Sequence, residues 1–273
     1  MSNRRARLDA ELVRRGLARS RDHAAELVAA GRVSVSGRAA AKPATQVEPA
    51  EPIVVAEDDD DPNYVSRGAH KLAGALDDFD ARPDGGPLVE GRLCLDAGAS
   101  TGGFTDVLLR RGAAKVLAVD VGYGQLAWSL RTDERVVVHE RTNIRNVEPS
   151  DLGPDLPSLV VADLSFISLS TVLPALRRCA APDADHVLMV KPQFEVGKDR
   201  LKTGGVVRDV ALRAEAVRMV AATGLDLGLG IRGVTASQLP GPAGNVEYFL
   251  WLRAGAPPLV EADLAEAIER GPQ

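Results

Sequence analysis

Cysteine is nearly absent from this chain: 273 residues contain two, Cys94 inside an apolar run and Cys179 in a helix-like stretch. That excludes a disulfide framework and a cysteine-based metal site, and both thiols read as buried small hydrophobes. Histidine is equally sparse and scattered, at His23, His70, His139 and His186, so no metal is expected. Long apolar runs are missing too. None approaches the roughly 18 consecutive apolar residues that span a bilayer, and the opening MSNRRARLDAELVRRG has no apolar signal core. A cytoplasmic protein without membrane association is expected, and nothing calls for an obligate protein partner. What is present, 45% hydrophobic and 26% charged residues, suffices for a full core. At roughly 150 residues per domain, one large and one small domain is the natural partition.

The net charge of −5 hides a segregation. Residues 1–42 hold ten Arg and Lys against four Asp and Glu, whereas residues 43–62 hold seven acids and no base. The basic arm suggests a polyanionic partner, against which stands the plainer reading of a solvated helical face. Leu8, Leu12 and Val13 fall at helical spacing before a stop at Gly16. Ser20 can cap a second helix carrying Ala24, Leu27 and Val28, which Gly31 ends. Val33 and Val35 then alternate with polar residues before a turn at Gly37. This order of features, RLDAELVRRGLARSRDHAAELVAAGRVSVSG, resembles the αL RNA-binding domain named for ribosomal small-subunit protein four. The resemblance implies that the second helix and the following turn contact phosphates, and Arg19, Arg21, Arg32 and Arg38 are the candidates. The stretch from Pro43 to Pro62, ending in Asp58-Asp59-Asp60-Asp61, reads as the edge of the small domain and then a solvated acidic linker. The expected domains are therefore residues 1–57, a linker at 58–66, and 67–273.

From Leu93 onward, short β-branched runs alternate with helical stretches, the pattern of a parallel sheet covered on both faces. The expected strands are Leu93–Asp96, Val116–Asp120, Val136–Glu140, Leu159–Asp163, Val187–Lys191, Ile231–Ala236 and Tyr248–Leu252. No helix fits QLPGPAGN between the last two, so they form an antiparallel hairpin. An α/β fold with a seven-stranded sheet, six strands parallel and one antiparallel, matches the class I methyltransferases better than a dehydrogenase. A small N-terminal α+β domain precedes it. The tail, with Leu259, Leu264 and Ile268, reads as a short terminal helix.

LCLDAGASTGGFT at residues 93–105 is a buried strand, a glycine loop and a helix start near Phe104. Glycines let backbone approach a ligand at the carboxyl edge of such a sheet, although a tight strand–helix turn would also need them. The spacing is neither G-x-G-x-x-G nor a P-loop, which argues against a pyrophosphate. An acid just before the loop, Asp96, suits a cationic ligand part; a second one 24 residues on, Asp120, suits a ribose diol. S-adenosylmethionine has both. Gly98, Ser100, Gly102, Phe104 and Thr105 are expected around its methionine and ribose, with Asn143 and Ile144 bounding the adenine; each also has a loop-capping reading.

Charged residues directly after apolar strands must be solvated, paired or used. Asp163 ends LVVAD, Lys191 ends VLMVK, and Glu247 begins a strand that runs the other way, so all three reach one edge. Lys71, in SRGAHKL, lies on a helix that could cross the same mouth. The set Lys71, Asp163, Lys191 and Glu247 with DAGASTGGFT resembles the tetrad of the heat-shock-type ribose 2'-O-methyltransferases. Together with the αL domain, SRGAHKL, VKPQFE and GPAGNVE, the chain resembles the TlyA (haemolysin A) family over nearly its whole length. That resemblance implies a rRNA methyltransferase that methylates the cytidine 2'-hydroxyl of 23S and in some members 16S rRNA, with ribosomal RNA or ribosomal subunits as partners.

The chemistry agrees. A ribose hydroxyl must lose its proton as the methyl is displaced, and a lysine can take that proton only when neutral. Lys191 is the expected base, Lys71 the neighbouring cation, and Asp163 and Glu247 orienting partners; the reverse assignment of the lysines stays open. Base-amine methylation would show Pro-Pro-aromatic where DLSF stands, and base-carbon methylation would need a cysteine at the ligand edge. A non-catalytic RNA-binding or ribosome-associated protein would need only the αL domain, and a haemolysin would need an insertion segment.

Overall fold

The computed structural model describes residues 5–18, 20–56, 62–201 and 204–272, so Arg19 and the aspartate run lie outside the described residues. Two compact units emerge, Met1–Asn63 and Tyr64–Gln273. Among the described residues no helix is long and apolar enough to cross a membrane.

In the smaller unit, β1 (Ala6–Arg7) leads into α1 (Leu8–Arg14), and α2 (Arg21–Ala29) precedes β2 (Val33–Val35), β3 (Arg38–Ala39), β4 (Gln46–Val47) and β5 (Ile53–Val55). Ser20 Oγ accepts the His23 N–H at 3.1 Å, capping α2 as its position suggests. Gly16, Gly31 and Gly37 take positive φ at the three breaks. β3, β2 and β5 form one sheet, and β1 pairs with β4. Leu8, Leu12, Ala24, Leu27 and Val28, whose spacing defined the helices, form the heart of the core with Val33 of β2.

The larger unit opens with α3 (Gly68–Asp80) and continues β6 (Leu93–Ala97), α4 (Gly103–Arg110), β7 (Lys115–Val119), α5 (Trp128–Arg131), β8 (Val136–His139) and β9 (Leu159–Ala162). It ends with α6 (Leu169–Arg178), β10 (Asp185–Val190), α7 (Pro192–Glu195), α8 (Val210–Asp226), β11 (Leu229–Ala236), β12 (Tyr248–Ala254) and α9 (Glu261–Arg270). The seven strands lie in the order β11-β12-β10-β9-β6-β7-β8. β12 runs antiparallel to both of its neighbours, and the remaining pairs are parallel. The expected sheet and its closing hairpin are therefore present. Tyr64 and Val65, inside the span read as linker, pack instead within this unit, where Asp106 accepts the Val65 N–H at 2.8 Å. Both are apolar in body and follow the acidic run, so burial wins there.

Strand alternation sorts the core into two layers. Leu95, Ala97, Leu188, Val190, Tyr248 and Leu250 face α6, α8 and α9. Cys94, Val161, Val187, Met189, Phe249 and Trp251 face α3 and α4. α4 leaves β6 for one face and α6 leaves β9 for the other, so chain direction diverges between these adjacent strands. That crevice, outside the carboxyl ends, is where open α/β sheets bind ligands.

Candidate active site

The same alternation aims the charged residues. Asp96 shares the face of Cys94, and one further step past β9 and β10 puts Asp163 and Lys191 on the face of Val161 and Met189. Glu247, one residue before β12, takes the face of Phe249 and Trp251. That face is the one α3 covers. Lys71 sits on α3 in the i, i+4 row with Ala75 and Phe79, both buried, which brings a cation into an apolar stripe. The result is two buried ion pairs. Lys71 Nζ lies 2.5 Å from Glu247 Oε2, and Lys191 Nζ lies 2.5 Å from Asp163 Oδ1. Only Asp163 retains substantial exposure, 26% of its side chain. Lys191 also donates to Ser165 Oγ at 2.9 Å, a partner that sequence reasoning missed.

Four residues from three strand ends and one helix are thus joined as two pairs. Desolvating such pairs costs several kcal/mol per ion before the attraction is counted. A fold that needed only stability would do as well with apolar residues here.

Asp96 is different. It is fully buried, Thr105 Oγ1 donates to Oδ2 at 2.6 Å, and Oδ1 has no hydrogen-bond partner among the described residues. Burial pushes its carboxyl up from 3.8 to about 7, partly offset by the Thr105 hydrogen bond. A free acceptor under a glycine loop suits a cationic ligand group.

The loop itself has strict geometry. At Gly98 φ is +89°, and a Cβ would stand 2.4 Å from the Asp163 carbonyl oxygen. At Gly102 φ is +98°, and a Cβ would meet Leu130 at 2.2 Å. Both glycines are therefore required by the turn whether or not a ligand approaches them. Ser100, at φ +47°, donates its N–H to Asp120 Oδ2 at 2.8 Å, while Asp120 Oδ1 accepts the Gly122 N–H at 2.6 Å. Asp120 so ties the glycine loop to the loop after β7. Between them lies a recess lined by Ala99, Ser100, Asp120, Gln125, Val138 and Glu140 among others. Glu140 is itself fixed by Arg131 and the Gly124 N–H. Gln125 sits in a loop where nothing marks it as a site residue, whereas Glu140 ends an expected strand but has no loop motif to accompany it.

Several expected positions have internal partners. Phe104 is buried in the core against Phe249, and Thr105 is buried under Asp96, so neither lines the recess. Asn143 caps the turn Ile144–Asn146 by accepting the Arg145 N–H, and Ile144 packs into the opposite core layer. In the smaller unit, Arg21 pairs with buried Asp9 at 3.0 Å and Arg32 donates to the Ala56 carbonyl, while Arg38 is exposed. Arg7 shares Asp9, and Arg14 and Arg15 share Glu11, so much of the basic arm is tied to two internal acids. Among the described residues, no cluster of three or more His, Cys, Asp or Glu could hold a metal ion.

Residues 64–254 match the FtsJ-like methyltransferase family, and residues 6–53 match the S4 domain. The chain is 60% identical, over 98% of its length and 97% of the other's, to the 16S/23S rRNA (cytidine-2'-O)-methyltransferase TlyA of Mycobacterium tuberculosis. It is 36% identical, over 69% of its length and 70% of the other's, to the 23S rRNA (cytidine-2'-O)-methyltransferase TlyA of Campylobacter jejuni. A solved Streptococcus thermophilus structure, provisionally called a hemolysin, superposes with a TM-score of 0.76 at 36% identity, covering 98% of this chain and 96% of that one. Identity of this extent, on a sheet whose ligand edge carries two lysine–carboxylate pairs beside a glycine loop, places the chain in the TlyA family of FtsJ-like methyltransferases with an N-terminal S4 domain.

Proposed function

We infer that this protein transfers the methyl group of S-adenosylmethionine to the ribose 2'-hydroxyl of cytidine in 23S rRNA, and in 16S rRNA as well. The two buried lysine–carboxylate pairs on one face of the sheet carry this reading. Asp96, with its free acceptor, and the recess beside Ser100 and Asp120 fit the cofactor's cationic and ribose parts. Bound there, S-adenosylmethionine supplies an electrophilic methyl group on sulfur. The rest falls to the chain's own side chains.

The attacking hydroxyl must lose its proton in the transition state, and we assign that proton to Lys191 Nζ. A neutral amine has two N–H bonds and one lone pair. Asp163 and Ser165 occupy two donor directions of Lys191, which leaves the lone pair for the incoming proton. Lys71, held by Glu247, remains the cation that stabilises negative charge developing on the hydroxyl oxygen. The smaller unit supplies affinity for RNA, with Arg38 exposed and Arg21 exposed but paired with Asp9. Modification of ribosomal RNA or subunits implies a cytoplasmic place of action.

The test is methyl transfer from labelled S-adenosylmethionine to each purified ribosomal subunit, followed by nuclease digestion and mass analysis of nucleosides. Label on the ribose of cytidine is expected. Label on a base, or none on either subunit, would overturn the reading.

A further inference from the structure

The segment that carries Lys191 makes a second connection one turn later. α7 ends at Glu195, a carboxylate buried to 7% exposure and far from any position a strand-end argument would select. Ser168 Oγ donates to its Oε2 at 2.6 Å, and the Leu169 backbone N–H donates to its Oε1 at 2.6 Å. Both donors belong to the start of α6. Ser168 is the N-cap of that helix, yet its side chain makes no cap hydrogen bond of its own. The hydroxyl is turned to Glu195 instead, and the first N–H of the helix is satisfied by a residue 26 positions on.

A local Ser168 cap would have served α6 alone, by accepting an N–H one or two residues further into the helix. Serine at this position is among the best N-caps and requires no buried charge. Burying a carboxylate to achieve it is costly unless the bond does something a local cap cannot. What it does is join two segments. The loop from Asp163 to Ser168 connects the end of β9 to α6, and Lys191 to Glu195 is the end of β10 with its single helical turn. At one end of this pair of segments, Lys191 Nζ holds Asp163 and Ser165. At the other, Glu195 holds Ser168 and Leu169. The loop is laced to the lysine segment at both ends.

We propose that Glu195 is a positioning residue for methyl transfer: by clasping the first turn of α6, it keeps the Asp163–Ser168 loop registered against Lys191. The Lys191 amine then retains both partners and a fixed lone-pair direction. This rests on the assignment of Lys191 as the proton acceptor. Misplacement of a reacting group by about 1 Å can cost about a hundredfold in rate, and it is such a shift of the loop that the second lace would prevent.

The experiment is single-turnover methyl transfer to ribosomal subunits at saturating S-adenosylmethionine and RNA, normalised to the folded fraction. Cofactor affinity and thermal unfolding are measured in parallel. Glu195→Ala should lower the rate about 10- to 100-fold with cofactor affinity nearly unchanged. Glu195→Gln keeps an oxygen for the Leu169 N–H and offers an amide N–H to the Ser168 hydroxyl, so it should restore most of the rate. If Glu195→Ala does not fold, Ser168→Ala removes one of the two bonds with little change of volume and should show an intermediate loss. Wild-type rates in folded Glu195→Ala, or in Ser168→Ala where the former does not fold, with only a lower Tm, would make the contact a helix cap and overturn the proposal. An inactive wild-type enzyme on both subunits would instead overturn the functional reading, and this proposal with it.

Discussion

Replacing Asp96 with asparagine keeps the shape of the side chain and removes a titration. In the folded protein, burial pushes this carboxyl from 3.8 to about 7. Raising a pKa by one costs the ionised form about 1.4 kcal/mol, so ionised Asp96 carries a penalty of about 4 kcal/mol. The sign follows from which state binds the proton. Below about pH 4 both folded and unfolded chains hold it, and Asp96 costs nothing. Between about 4 and 7 the folded chain holds it and the unfolded chain does not, so stability falls as pH rises. Above about 7 the full penalty is present. Asparagine never ionises, but it places an N–H group where Oδ1 has no partner, which costs about 1–3 kcal/mol. At pH 8 the variant should therefore be more stable than the wild type by about 1–3 kcal/mol, worth several degrees in Tm for a domain of this size. At pH 4 it should be less stable.

Cofactor binding should move the opposite way. A cation seated at Asp96 requires the carboxylate, so below pH 7 binding must expel a proton, and affinity should rise by up to tenfold per pH unit toward about 7. Calorimetry in buffers of different ionisation enthalpy counts that proton. The cofactor's own amino group titrates at about 8, and Asp96→Asn separates the two, because only the ligand's titration remains in it. The variant should bind S-adenosylmethionine at least tenfold more weakly at pH 7.5. If Asp96→Asn binds as tightly as the wild type with the same pH dependence, Asp96 is not the cation site. If its stability tracks the wild type at every pH, the buried carboxyl does not titrate near 7.

Lys191→Ala should reduce turnover by about 10²–10⁴-fold with cofactor affinity intact, and Lys191→Arg should be nearly as slow, since arginine cannot accept a proton; retained activity in Lys191→Arg would leave the site acting by positioning alone. Gly98→Val should be recovered as a destabilised or misfolded protein, because its Cβ would meet the Asp163 carbonyl, and a folded variant with normal Tm would contradict that geometry. Arg38→Ala should lower the slope of log affinity against log salt for rRNA by about one if it contacts a phosphate, whereas Arg21→Ala should chiefly lower the stability of the smaller unit through Asp9. Arg14 and Arg15 hold the Glu11 carboxyl down from 4.5 to about 2, so the smaller unit should lose stability as pH falls through that range, a loss readable by circular dichroism.

What sequence reading left open in the smaller unit and at the recess has one cause. The resemblance to the αL domain assigns Arg21 and Arg32 to phosphates, but it cannot show that Asp9 is buried and pairs with Arg21, or that Ala56 offers a carbonyl to Arg32. Asn143 follows a strand and so reads as a ligand contact, and its local use as a turn cap satisfies it equally well. Glu195, Ser165 and Gln125 sit in a loop or single turn where no periodicity fixes the direction of a side chain, and Glu140, though it ends an expected strand, has no motif beside it. Where periodicity does operate, it reaches further than the strands themselves. The alternation that buries Val161, Met189 and Phe249 continues for one residue beyond each strand, because backbone still paired on one side cannot reverse its pleat at once. Asp163, Lys191 and Glu247 are those next residues, and Lys71 belongs to the same i, i+4 row of α3 as Ala75 and Phe79. A charge that interrupts an apolar row at the ligand edge of a sheet must therefore find its partner on that face. In this fold the nearest such groups are other interrupted rows, which is why the four charges meet as two pairs.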